Sequence, residues 1–316
     1  MRILFVTSNR LGDAVLSTGL LDHLIRTHPD ARITVVCGPV AEGLFARMPN
    51  RDRTIVLSKQ KWGLHWLPLW GATVTRLWDL VVDIRGSALS WLVLTRARAV
   101  FGGRVDGPKI NQIGALLGLS APLPVVWTTE SDRTRAGNLL HTERPIIALA
   151  PTANWQPKIW PADRFAEAFR HLAAAHIPGA IPAILGGPGS AERALAAPLQ
   201  AVLPDARDLV GVVSLPEAAS VLQRAALFIG NDSGLMHLAA AAGAPTIGLF
   251  GPTDAGIYGP AGPRAAAVVG SSMEAITVRQ VVDASTRLLV ETQSGPAPSR
   301  GEPLSEALII TPPTAC

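Results

Sequence analysis

The chain has 316 residues, 48% of them apolar and 16% charged, with a net charge of +4. That length exceeds what one hydrophobic core usually supports, so two domains are expected, and the composition excludes wholesale disorder. The positive balance favours anionic partners such as nucleotide phosphates or acidic lipid headgroups. Scattered arginines, with no zinc-finger, RRM or basic-zipper pattern, set nucleic acid aside.

The first strand is expected at 2–7, "RILFVT". Its apolar stretch runs at once into Ser8, Asn9, Arg10 and Asp13, too brief for a signal-peptide core. With only Cys37 and Cys316 and no disulfide framework, a reducing, cytoplasmic setting is expected. A helix follows over 13–27, with Leu16, Leu20 and Leu24 on one face, and then strands at 32–37, 54–57, 79–84 and 97–103. The same alternation restarts at 144–151. It continues through a helix with Pro161 in its first turn, strands at 181–187, 207–211, 226–230 and 245–251, a capping box at Ser214 and Glu217, and a last helix at 274–290. Strands alternating with helices predict an α/β protein of two Rossmann-like, doubly wound parallel sheets, 1–143 and 144–290, with 291–316 as a disordered tail.

Three loops carry chemistry. In "NDSGLMHLAAAAG" (231–243), Asn231, Asp232, Ser233 and Gly234 stand between a strand and a helix of small residues. There the helix N-terminus offers unpaired N–H groups to a pyrophosphate, and Gly234 allows close approach. Equally, Asp232 or Ser233 simply caps a buried helix. His237, one turn in, is a ligand contact or a packed core histidine. In "PTANWQPKIWP" (151–161), Lys158 lies on a proline-stiffened loop, either as a point charge for a diphosphate or as a solvated surface lysine. No Asp-x-Asp pair, Walker motif or His/Cys cluster is present, so neither a metal nor a cofactor is expected. In "SNRLGDAVLSTG" (8–19), Asp13 is a helix cap or a general base, and the pattern is not Gly-x-Gly-x-x-Gly. Arg85 in "DIRGS" reaches an anionic ligand or pairs with Asp83. Trp62, Trp66 and Trp70, four apart, are core or a membrane-interface stripe, although Pro68 interrupts a helix there.

"LGDAVLSTGLL", "PTANWQPKIWPADRF" and "FIGNDSGLMHLAAAAGAPTIGLFGPTD" together resemble glycosyltransferase family 9, the ADP-heptose:lipopolysaccharide heptosyltransferases, over about residues 1–290. The resemblance implies a GT-B fold, with an acceptor-binding N-terminal domain facing a nucleotide-sugar-binding C-terminal one across a cleft. It also implies metal-independent, inverting transfer from a nucleotide sugar such as ADP-heptose to a lipid-linked saccharide acceptor, on the cytoplasmic face of the inner membrane. Carried over by residue, Asp13 matches the catalytic base and Gly12 the glycine beside it. Lys158 matches the lysine on the donor phosphates and Thr152 the hydroxyl residue early in the same donor-binding loop, and Asp232, Ser233, Gly234 and His237 fall on the segment that holds the donor. Arg85 belongs to the acceptor side. The alternatives are another GT-B sugar-nucleotide enzyme, such as an epimerase, and a non-catalytic binding module.

Overall fold

A computed structural model of the chain describes residues 1–58, 66–103, 106–294 and 308–310. One compact unit ends at Trp127 and a second begins at Thr128.

In the first unit, β1 (Arg2–Val6), β2 (Arg32–Cys37), β3 (Arg51–Val56), β4 (Trp78–Asp83) and β5 (Thr95–Val100) form a wholly parallel sheet ordered β3-β2-β1-β4-β5. The central strands are near-continuous apolar runs because both sheet faces are covered. Helices α1 (Leu11–Leu16), α2 (Thr18–Thr27), α3 (Trp66–Val74), α4 (Leu89–Leu92) and α5 (Lys109–Gly114) belong to this unit. Leu69 of α3, Leu89 of α4 and the adjoining Val93 pack with Leu4, Val6, Val36 and Val81 of the sheet. Burial of this kind stabilises by about 1.5–3 kcal/mol per large apolar side chain. Cys37, at the end of β2, is part of that interior. Burial, with Glu42 nearby, pushes its thiol up to about 12, which makes it packing rather than a reactive group.

The single helix expected over 13–27 is two, divided at Ser17. The Ser17 and Thr18 hydroxyls bond back to the carbonyls of Ala14 and Val15, at 2.7 Å each, and so compete with the helical ladder. Thr18 also accepts from the backbone N–H of Val125 at 2.9 Å, drawing the 122–125 segment against α2. Only glycine fits at 19, because a Cβ there would stand 2.3 Å from the carbonyl oxygen of Pro122. Gly19→Ala is therefore expected to destabilise the protein by about 1–3 kcal/mol. Gly71→Ala, in open space on α3, should instead be neutral or stabilising by about 0.5 kcal/mol. Urea unfolding midpoints of the two variants test the contrast.

In the second unit, β6 (Ile146–Ala150), β7 (Ile181–Ile184), β8 (Arg207–Asp208), β9 (Leu227–Asn231), β10 (Thr246–Phe250), β11 (Ala265–Val269) and β12 (Leu308–Ile310) are again all parallel, ordered β12-β11-β10-β9-β6-β7-β8. Its helices are α6 (Glu130–Leu140), α7 (Ala162–Ala175), α8 (Ser190–Val202), α9 (Leu215–Gln223), α10 (Gly234–Ala242), α11 (Ala255–Tyr258) and α12 (Val278–Ser294). The capping box at Ser214 and Glu217 is present, and Pro161 is the residue preceding α7. α6 packs on α9, so the compact units divide at 127/128, upstream of the 143/144 boundary expected from the restart of the strand pattern. Two features depart from the disordered tail expected over 291–316. α12 continues to Ser294, and Leu308–Ile310 pair with β11, while 295–307 and 311–316 lie outside the described residues.

Trp62 also lies outside the described residues, and Trp66 opens α3. Pro68 does not break that helix. It sits in the first turn, where its missing N–H would have no intrahelical partner. Trp70 is exposed and donates its indole N–H to the Leu92 carbonyl at 3.2 Å. Among the described residues no helix is long and apolar enough to cross a membrane.

Candidate functional site

In an open parallel sheet, ligands bind beyond the carboxyl ends of the strands, at the point where the strand order reverses. The second unit reverses between β6 and β9. The 151–161 loop leaves β6 and the 231–234 loop leaves β9, so the two segments singled out in this half are neighbours.

Asn231, fully buried at the end of β9, fastens both ends of the first loop. Its Nδ2 donates to the Pro151 carbonyl at 2.8 Å, and its Oδ1 accepts from the Trp160 backbone N–H at 3.1 Å. Trp160 is also fully buried. It packs edge-on to Phe165 and donates its indole N–H to the Ile276 carbonyl at 3.0 Å, where Arg164 also donates. The stretch before α12 is thereby tied to the same loop.

Within that frame, Gln156–Lys158 make one 3-10 turn, and Lys158 Nζ donates to Asp232 Oδ2 at 2.6 Å. The lysine side chain is 18% exposed and the aspartate 8%, so the pair is largely shielded from solvent. Thr253, after β10, donates to the same carboxylate oxygen at 2.8 Å. Asp232 is thus the counter-charge that holds a cation at the strand ends, which answers why a carboxylate stands where an anion is expected. Thr152 is buried at the start of the loop.

Neither Asp232 nor Ser233 makes the side-chain cap weighed for them. Ser233 occupies the N-cap position of α10 in an extended conformation, with no side-chain hydrogen bond to the helix. Its hydroxyl oxygen is shielded from solvent and has no hydrogen-bond partner among the described residues. The first-turn N–H groups that begin at Gly234 carry the positive end of the helix dipole. His237 is buried one turn further on. The small residues behind it let α10 lie close to the sheet, where a Cβ at Gly248 of β10 would stand 2.4 Å from Met236 Sδ.

The first unit reverses between β1 and β4, and its singled-out residues again follow those two strands. Gly12 and Asp13 lie in the first turn of α1, partly exposed, and Ser8 donates to Asp13 Oδ2 at 3.2 Å. The Asp13 carboxylate is not the N-cap of α1, a position held by Arg10. Arg85, after β4, directs its guanidinium to Asn9 Oδ1 at 3.3 Å, across the reversal. The alternative side-chain pairing with Asp83 is not what forms. Asp83 is fully buried and accepts instead from Ser87, from Ser90 at 2.6 Å and from the backbone N–H of Arg85 at 2.8 Å.

Sequence reasoning missed Thr253 as a partner of Asp232 and Asn231 as the clamp, although both stand inside quoted stretches. The signal available was position alone, because Asn231 ends one apolar strand and Thr253 comes three residues after the end of its neighbour. Among the described residues no three His, Cys, Asp or Glu side chains group as metal ligands do.

The family model of glycosyltransferase family 9 (heptosyltransferase) matches residues 115–284. Lipopolysaccharide heptosyltransferase 1 of Pseudomonas aeruginosa is 30% identical over 82% of this chain and 81% of its own length. Lipooligosaccharide heptosyltransferase 2 of Haemophilus influenzae is 26% identical over 89% and 92%. Among solved structures, the Escherichia coli ADP-heptose lipopolysaccharide heptosyltransferase II superposes with a TM-score of 0.74 at 21% identity, covering 93% of this chain and all of that one.

Proposed function

The chain belongs to glycosyltransferase family 9, and from that premise we propose that it transfers a heptose from ADP-heptose to a lipopolysaccharide core acceptor, inverting the anomeric centre. The relatives named above support the sugar and the acceptor class. The observation that carries the donor assignment is Lys158, held by Asp232 in a loop beside the start of α10. A fixed cation next to unpaired helix N–H groups suits a diphosphate.

In this reading Asp13 accepts the proton of an acceptor hydroxyl as that oxygen attacks the anomeric carbon. The bond between that carbon and the β-phosphate oxygen breaks, and ADP leaves with the electron pair. Lys158, Ser233 and the N–H groups from Gly234 onward meet the charge that develops on the leaving phosphate, so the reaction is assigned no metal or cofactor. Thr152 and His237 line the donor side, while Gly12 and Arg85 serve the acceptor side. The acceptor is lipid-borne, so the enzyme works in the cytoplasm at the inner-membrane surface.

Purified protein given ADP-heptose is expected to release ADP only when heptose-deficient lipopolysaccharide is added. Release that is indifferent to the acceptor, or ADP-heptose that binds without any release, would sink the proposal.

A further inference from the structure

Among its described residues, the first unit carries a group of exposed apolar side chains. α3 and α4 press Leu69 and Leu89 onto the sheet, while Leu67, Trp70, Trp91 and Leu92 of the same two helices stay exposed, joined by Leu94 just beyond α4. Trp91, Leu92 and Leu94 are each more than 60% exposed. The two helices are joined here, because Trp70 and Leu67 are three apart on one helix and the Trp70 indole donates to the Leu92 carbonyl of the other. Single exposed leucines need no explanation, but a cluster of this kind marks an interaction site.

The charge beside it selects the occupant. Arg98, on edge strand β5, lies over the Trp91 ring with its guanidinium carbon 5.1 Å from the centroid, and it has no carboxylate partner among the described residues. Arg96 projects from the same strand with its side chain 71% exposed, tethered to Asp79 at 3.3 Å. Indoles and leucines beside guanidinium groups match the chemistry of an anionic bilayer surface, where rings sit at headgroup depth and cations meet lipid phosphates.

We propose that the Leu67, Trp70, Trp91, Leu92 and Leu94 surface, with Arg98 on Trp91, docks the protein peripherally on an anionic phospholipid membrane. This deepens the membrane-surface reading given above by naming the surface, and it is testable without donor or acceptor.

The full chain is sedimented with phosphatidylcholine vesicles and with vesicles containing about one third phosphatidylglycerol, at low and high salt. Binding to the anionic vesicles only, weakened by salt, is expected. Arg98→Glu should weaken it about thirtyfold, the effect of two charge units near such a surface. Trp91→Ser with Leu94→Ser should remove it, with the thermal unfolding midpoint of each variant unchanged to show an intact fold. Equal binding to both vesicle types, absence of binding by the wild type, or variants that bind like wild type would each overturn the proposal. So would a dimer, seen by light scattering, that the Trp91→Ser variant dissociates, because the surface would then belong to a second copy.

Discussion

Asp13→Asn is expected to lower kcat for ADP-heptose-dependent transfer by about a hundred- to ten-thousandfold, the range that a positioned general base supplies. The substitution keeps the shape of the side chain and its contact with Ser8, and removes only the ability to take up a proton at an oxygen. The groups assigned to the donor stand in the other unit, so ADP affinity, read by calorimetry, should hold within about twofold. That split between lost turnover and kept binding separates a base from a structural role. An unfolded or loosened α1 would show as a lower melting point, while a non-catalytic binding module would have no turnover to lose. Ser8→Ala, which takes away the partner of the carboxylate but not the carboxylate, should cost far less, about the 1 kcal/mol of a single hydrogen bond and so roughly fivefold in kcat.

Lys158→Ala should raise the dissociation constant for ADP by about thirty- to a thousandfold, or 2–4 kcal/mol, as for truncation of a largely desolvated charged contact. It should also destabilise the fold by about 1–3 kcal/mol, because Asp232 stays buried with Thr253 as its remaining side-chain donor. The second effect is separable from the first. With Asp232→Asn added, the stranded charge is gone and stability should recover most of that loss, whereas ADP affinity should stay low because no cation has been restored. Urea midpoints and ADP titrations of the two single variants and the double variant form one cycle. An ADP affinity that returned with stability would mean that Lys158 acts only through the fold, and the phosphate role would fall.

The central strands were legible because parallel strands covered on both faces leave apolar runs such as 3–6 and 146–150, and those strands carry the loops that matter. β11 was missed because three of its five residues are alanine, which carries little strand signal. β12 lay in a stretch whose glycines and prolines read as tail. α6 is mostly polar, so the restart of strands at 144 looked like the boundary although the helix already packs within the second unit. At the site, Lys158 and Asp232 were each identifiable as charged residues at strand ends, yet their contact spans 74 positions. It exists because β6 lies next to β9, and that adjacency follows from strand order rather than from any local pattern. From the sequence Asp232 reads as a helix cap or as part of a donor-holding segment, and its role as counter-ion comes only with the fold.

The buried amide of Asn231 has a further consequence. By holding Pro151 and Trp160 at once, it closes the intervening residues into a short cyclic segment before any ligand arrives. Conformational freedom that a slack loop would surrender on each encounter with a nucleotide has already been surrendered during folding. Association on this side is then a collision with a standing surface, so its rate should follow viscosity and ionic strength rather than the slower rhythm of a loop seeking its shape.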